Sequence, residues 1–344
     1  MKMQAALWYG PEDVKIEEVD VPTIGPNEVL VKIGTALTCG TDFKLFRQGH
    51  AMLVKEIPCP FGHELAGTIT AVGANVTKFH IGDRVVAANS APCGECFFCY
   101  KKQWNLCENL EFLNGAYAEY IRIPQRIVQK NLYQIPSDLS FREAALTEPL
   151  ACVLHCFDRI HLQEGENLCI IGAGTCGLLF TQLARLYGAQ VIVIGRGEEK
   201  LGVAKEMGAH NTISVEQSGY EQEVRALTPG GYGPDIVIDA AGKPQTWELA
   251  TQLVRKGGRV WFYGGCPAGT EVTLNTHRMH YEEIACSGIF HHTPAHFAKA
   301  LQLIIDDKID VKQLIRGERK LSELNDIFQK GMSANPLKIA IIPD

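Results

Sequence analysis

Leu168-Cys169-Ile170-Ile171-Gly172-Ala173-Gly174-Thr175-Cys176-Gly177 runs an apolar, strand-forming segment into a glycine-rich turn, and a helical pattern from Thr175 to Tyr187 follows, closed by Gly188. The glycine spacing alone is a weak signal. A strand before it and a helix after it turn it into a dinucleotide-binding fingerprint. Gly172 then permits the tight turn, Gly174 lets the backbone approach a pyrophosphate, and Gly177 lets the helix close on the sheet. The helix N-terminus, with Thr175 and Cys176, faces the phosphates. The alternative is that the glycines serve only the packing of helix on strand.

Outward from this stretch the texture is strand and helix in alternation. Val191–Ile194 reads as the next strand, Glu198–Met207 as a helix stopped by Gly208, and Asp235–Asp239 and Arg259–Tyr263 as further strands. That is the pattern of parallel β-α-β units, an α/β domain over residues 151–288. Residues 1–150 read instead as short β segments broken by turns, among them Val14–Val19 and Val29–Ile33, a barrel-like domain. After Gly288, Pro294–Ile305 is an amphipathic helix and Leu337–Ile342 a strand that must pair with something earlier. The β domain is therefore expected to be built from both ends of the chain, 1–150 and 289–344, with the α/β domain inserted.

A length of 344 residues favours two domains. A net charge of -6 with scattered lysines and arginines gives no basic stripe, which argues against nucleic acid as a partner. No run approaches the roughly 18 apolar residues of a membrane span, and the N-terminus lacks a secretory pattern, so the expected location is the cytoplasm.

Twelve cysteines in such a chain point to metal sooner than to disulfides. Cys93, Cys96, Cys99 and Cys107 lie in one lobe, residues 90–110. Four thiolates close a tetrahedral shell and leave no position for water or substrate, so this is a structural zinc site by shape; chance clustering and an iron-sulfur cluster are the alternatives. Cys59, Cys152, Cys156, Cys169, Cys176, Cys266 and Cys286 share no spacing and read as buried thiols. The second strand of the α/β domain ends at Gly195-Arg196-Gly197, where an acidic residue would accept the ribose hydroxyls of NAD. Glycine makes room there and Arg196 offers a fork for a 2′-phosphate, so NADP is expected to be preferred over NAD. Alternatively Arg196 covers adenine or faces solvent and NAD is used, since Glu198 and Glu199 lie close by.

Phe61-Gly62-His63-Glu64 sets two metal-ligand types side by side, too few by themselves for zinc. With Cys39-Gly40-Thr41-Asp42, the four-cysteine lobe, Glu148-Pro149-Leu150-Ala151 and the fingerprint, in that order, the chain resembles the zinc-dependent medium-chain alcohol dehydrogenases along its whole length. It is most similar to their polyol (sorbitol) and threonine dehydrogenase branch. The resemblance implies a GroES-like catalytic domain, a Rossmann domain and a catalytic zinc in the cleft between them. By position it makes Cys39 and His63 zinc ligands, and Glu64 and Glu148 either ligands or partners that move on and off the metal. A thiolate, an imidazole and a carboxylate leave an open position where zinc acts on a substrate oxygen as a Lewis acid. The resemblance also makes Thr41 the start of a proton relay; a capping hydroxyl is the other reading.

The chain departs from the family at Lys44, where many members carry histidine, which puts the outer end of the relay in doubt. His291 and His292 stand where the chain re-enters the catalytic domain and are candidates for substrate contact or a second metal, although neighbours on a strand point in opposite directions. The expected activity is hydride transfer between NADP(H) and a secondary alcohol, a polyol or sugar-derived alcohol, with two zinc ions per chain. Assembly into homotetramers or dimers is implied by the resemblance only. The rivals are a threonine-type 3-hydroxy amino acid dehydrogenase, with Lys44 or Arg47 holding the carboxylate, and a non-catalytic protein that binds zinc and cofactor.

Overall fold

The computed structural model describes residues 1–50, 52–334 and 337–344. The chain divides into two compact units, Cys152–His291 and Met1–Ala151 with His292–Asp344. The α/β unit thus extends past its last strand, Ala285–Gly288, instead of ending with it.

In the α/β unit six parallel strands lie in the order Asn211–Ser214, Gln190–Gly195, Asn167–Ile171, Ile236–Asp239, Arg259–Phe262, Ala285–Gly288. This is the doubly wound order, and it reverses at Asn167–Ile171. The central strands are apolar on both faces, with Leu168, Cys169 and Ile170 fully buried, because crossover helices cover each side. The fingerprint turn leaves the C-terminal end of the strand at which the order reverses, the place where such sheets bind ligands.

In the other unit a seven-stranded sheet centres on Val29–Leu37, which pairs antiparallel with Glu64–Val72, Tyr120–Ile123 and Lys338–Ile342. The expected partner of the C-terminal strand is therefore found, and Ile315–Lys320 runs parallel along its other side. Beneath the sheet Phe328, on the helix Leu324–Ala334, sits among Phe43, Phe46, Phe61 and Tyr117 at ring-centroid distances of 4.6, 5.6, 4.9 and 6.0 Å. This aromatic cluster underlies Asp42, which directly precedes Phe43, and His63, which stands two residues after Phe61. Among the described residues no helix is long and apolar enough to cross a membrane.

Candidate metal centres and cofactor turn

Strand register assembles the first site. Leu37 pairs with Glu64 on one side and with Ala340 on the other, so the segment holding Cys39 runs antiparallel to the segment holding Lys338. Thr38 fixes that junction: its N–H donates to the Ile339 carbonyl at 3.1 Å and its hydroxyl accepts from the Ile339 N–H at 3.0 Å. Lys338 Nζ donates to both carboxylate oxygens of Glu64, 2.6 Å to Oε2, and both side chains are buried. Cys39 Sγ, a ring nitrogen of His63 and a carboxylate oxygen of Glu64 all lie within 4.8 Å of one another.

His63 is aimed by its neighbours. Gly62 adopts φ +89°, and a Cβ there would stand 2.6 Å from the Tyr117 ring, so glycine is required both for the turn and for the ring beneath it. Asp42 takes His63 Nδ1 at 2.9 Å on one oxygen; on the other it accepts from the Cys39 N–H at 3.0 Å and the Tyr117 hydroxyl at 2.6 Å. With Nδ1 held by a carboxylate, Nε2 is the nitrogen left for a metal, the usual arrangement around zinc-bound histidine. One thiol, one imidazole and one carboxylate are a donor set zinc accepts, and three protein ligands leave a fourth position for substrate.

The charges follow from this packing. Burial pushes the Cys39 thiol up, but the charges of Lys338 and His63 prevail and bring it down to about 7, into the range where the thiolate forms readily. Burial works against charge on His63, yet Asp42 and Cys39 hold its pKa well above the ordinary value. Burial drives Glu64 well above the usual carboxylate range; Lys338 opposes this, while Cys39 and Glu148 add to it.

Glu148 stands apart from that trio. It lies in the first turn of the helix Thr147–Ile160, buried, with Oε1 accepting from Asn89 Nδ2 at 2.9 Å. Thr41 is half-buried near the start of the helix Gly40–Gln48, but that helix begins at the Cys39 cap, where Asp42 receives the Cys39 N–H. The capping reading of Thr41 therefore fails. Lys44 and Arg47 are exposed on the same helix. His291 and His292 are not on a strand. His291 has φ +58° and gives its carbonyl to His155 Nδ1 at 2.7 Å, whereas buried His292 sets Nε2 3.0 Å from Asn89 Oδ1.

The four-cysteine lobe is assembled as its spacing predicts. Cys93, Cys96, Cys99 and Cys107 bring their sulfurs within 4.8 Å of one another, with separations of 3.9, 3.8 and 3.4 Å between neighbouring pairs. A tetrahedron of about 2.3 Å zinc–sulfur bonds has edges of about 3.8 Å, so the cage fits the ion. Backbone N–H groups of Cys93, Gly94 and Glu95 point at the sulfurs, and Lys130 Nζ clamps the Pro92 and Cys93 carbonyls at 2.8 and 3.1 Å. The Glu95 N–H leads the effects that bring Cys93 down to about 6, while burial raises Cys107 to about 12.

In the α/β unit Gly172 has φ +113°, and a Cβ on Gly177 would lie 1.9 Å from the Gly172 carbonyl oxygen. Gly174 caps the helix Thr175–Leu186, and a Cβ there would meet nothing within 4 Å. The turn thus keeps open space in front of a helix N-terminus, as an anionic cofactor requires. Thr175 and Cys176 open the helix, and Cys176 Sγ receives the Tyr263 hydroxyl at 3.3 Å. A Cβ on Gly195 would stand 3.1 Å from that of Ala173, and exposed Arg196 follows it with no carboxylate at the strand end.

Sequence reasoning missed Asp42, Tyr117, Asn89 and Lys338. For Lys338 a signal existed, a lone charge inside the apolar run Leu337–Ile342.

Residues 25–137 match the alcohol dehydrogenase GroES-like domain and residues 175–306 the zinc-binding dehydrogenase family. A sorbitol dehydrogenase of Bacillus subtilis is 32% identical over 99% of this chain and 98% of its own. The chain belongs to the zinc-dependent medium-chain alcohol dehydrogenases. Its relatives place it on the polyol branch of that family, among enzymes acting on CH–OH groups. A D-arabitol-phosphate dehydrogenase of Enterococcus avium is 31% identical over 96% of the chain and 94% of its own. A Sinorhizobium meliloti zinc-binding dehydrogenase structure bound to NADP superposes with a TM-score of 0.92 at 30% identity, covering 100% of both chains. Medium-chain alcohol dehydrogenases pair a GroES-like domain with a Rossmann domain, and both are present here.

Proposed function

We propose that this dehydrogenase interconverts a polyol, or a sugar-derived alcohol, with its ketone using NADP(H), and holds two zinc ions per chain. The observation that carries the reading is the trio Cys39, His63 and Glu64, three ligand atoms within 4.8 Å with the remaining His63 nitrogen already engaged by Asp42. Bound there, zinc supplies Lewis acidity toward the substrate oxygen. Asp42 fixes the tautomer and aim of His63, and Lys338 grips both oxygens of Glu64 and opposes the rise in its pKa. Thr41 Oγ1 would accept the hydrogen bond of the substrate hydroxyl and pass its own proton outward as that one arrives, acting as a relay and not as the base. Lys44, three residues further on the same helix face, ends the proton path or meets an anionic group of the substrate; the arabitol-phosphate relative favours the second use. Glu148 partners the catalytic metal from outside the trio. Cys93, Cys96, Cys99 and Cys107 hold the structural ion.

At the cofactor turn, Gly172, Gly174 and Gly177 receive the pyrophosphate, and Arg196 receives the 2′-phosphate that a carboxylate at Gly195 would repel. Two sites built on reduced thiols suit the cytoplasm. We assign association into dimers or tetramers to the open edge strand Ala285–Gly288, which light scattering checks.

Metal analysis is expected to give two zinc ions per chain. Turnover of sorbitol, xylitol, arabitol and its phosphate, and threonine with each nicotinamide cofactor is expected to favour a polyol with NADP. Arg196→Ala is expected to lower kcat/KM about tenfold or more with NADP and little with NAD, since a charge-assisted contact of this kind contributes roughly 1.5–3 kcal/mol. Threonine as the best substrate, or a chain that binds no nicotinamide, would overturn the reading.

A further inference from the structure

Three buried polar side chains from distant parts of the sequence meet beside the metal site: Asn89, 6% exposed, Glu148, 5%, and His292, 2%. Each comes from its own segment. Asn89 follows the strand Arg84–Ala87, Glu148 opens the helix Thr147–Ile160, and His292 precedes the helix Pro294–Ile305. The carboxamide of Asn89 gives the arrangement a direction. Its nitrogen can only donate, so it must face the Glu148 carboxylate, as it does at 2.9 Å to Oε1. Its oxygen can only accept, so His292 must present N–H at Nε2, 3.0 Å away. The bonds run from imidazole to amide to carboxylate, and each polarises the next.

Burying such groups is costly unless each serves its neighbour, and an apolar trio would fill the same space more cheaply. We propose that Asn89 and His292 are positioning residues for Glu148: the imidazole–carboxamide pair grips Oε1 and holds the carboxylate in the orientation from which it serves the catalytic metal. The inference rests on the reading of Glu148 as a partner of that metal. It also gives His292 a role other than substrate contact.

The test uses the zinc-loaded enzyme, and the same enzyme with cobalt(II) in the catalytic site. Asn89→Ala and His292→Leu are expected to weaken the catalytic ion about 10- to 100-fold in competition with a chromophoric chelator, the usual effect of removing an outer partner. They should also shift the cobalt absorption bands, while the ion of the four-cysteine lobe stays bound and reports intact folding. His292→Gln, which can still donate to Asn89 Oδ1, is expected to recover most of the loss. Asn89→Asp, which keeps the shape but loses the donor, should behave as Asn89→Ala and serves if the alanine variant does not fold. The proposal is overturned if the Asn89 variants leave affinity and spectrum unchanged, or if His292→Gln is as defective as His292→Leu. Glu148→Gln separates the layers. If it changes neither readout, the reading of Glu148 is wrong; if it changes both and the Asn89 variants change neither, only the positioning role is.

Discussion

Lys338 places a full positive charge on a strand whose residues Lys338–Ala340 are buried, which is tolerable because both oxygens of Glu64 accept from it. Removing one partner strands the other. Lys338→Met is expected to destabilise the barrel unit by about 3–5 kcal/mol, the range for breaking a buried ion pair. Combined with Glu64→Gln, the loss should be clearly less than the sum of the single effects. Denaturant unfolding of the four proteins in this cycle checks it, and strict additivity would sink the claim. Cys39, His63 and Glu64 were legible only through the resemblance to the family, since the adjoining pair His63-Glu64 is too few ligands by itself and nothing local ties Cys39 to it; the structure brings the three together. Lys338 offered a signal, a lone charge in an apolar run, but not its partner, which lies 274 positions away and is brought to it only by strand register. Asn89 had no signal at all, since one asparagine looks like any other until its neighbours are placed.

At the scale of elements, the most regular segment was also the most readable. The fingerprint strand and helix follow from local pattern, Asn167–Ile171 and Thr175–Leu186, and the four-cysteine lobe follows from spacing. The helix Leu324–Ala334 escaped, although its Phe328 fills the middle of the barrel unit's aromatic cluster, because its worth lies in distant rings and not in its own sequence. The two glycines that flank Thr175-Cys176 can be told apart by experiment. Gly177→Ala drives a Cβ into the Gly172 carbonyl and should lower both the melting temperature and cofactor affinity, the latter at least about tenfold. Gly174→Ala meets no atom of the chain, so it should weaken cofactor while leaving the melting temperature of the cofactor-free enzyme unchanged. Fluorescence titration with NADPH and calorimetry distinguish the two; identical behaviour would mean that Gly174 does not border the cofactor.

For the molecule as a whole, two units with separate cores should respond to separate perturbations. Chelating zinc is expected to lower the melting transition of the barrel unit, and NADP to raise that of the α/β unit. The α/β unit has its own acid limb. Burial of Asp235 works to raise its pKa, but the Asn167 N–H at 2.7 Å and Arg255 at 2.6 Å prevail and hold it below the ordinary 3.8. A depressed native pKa adds stability above the unfolded value, and that contribution is lost as pH falls through the native one. Asp235→Asn should therefore melt lower than the parent near neutral pH, with the gap closing below about pH 3.8. A gap that stays constant to pH 3 would remove Asp235 from the account. The two-ended build of the barrel unit was readable from the unpaired C-terminal strand, but the register that makes it part of the metal site was not, because register is decided by packing across the sheet.

The same strand sets a timetable for biosynthesis. At ribosomal speeds of roughly 5–20 residues per second, the segment between the two halves of the barrel unit takes on the order of ten seconds or more to emerge. Throughout that interval Val29–Leu37 presents an open edge where Lys338–Ile342 will dock, and Glu64 has no lysine. The α/β unit can fold meanwhile and draw its own ends together, which shortens the loop that remains to be closed. Until Lys338–Ile342 has emerged and docked, the nascent first half keeps that edge unpaired, the stage at which it is most exposed to edge-to-edge association.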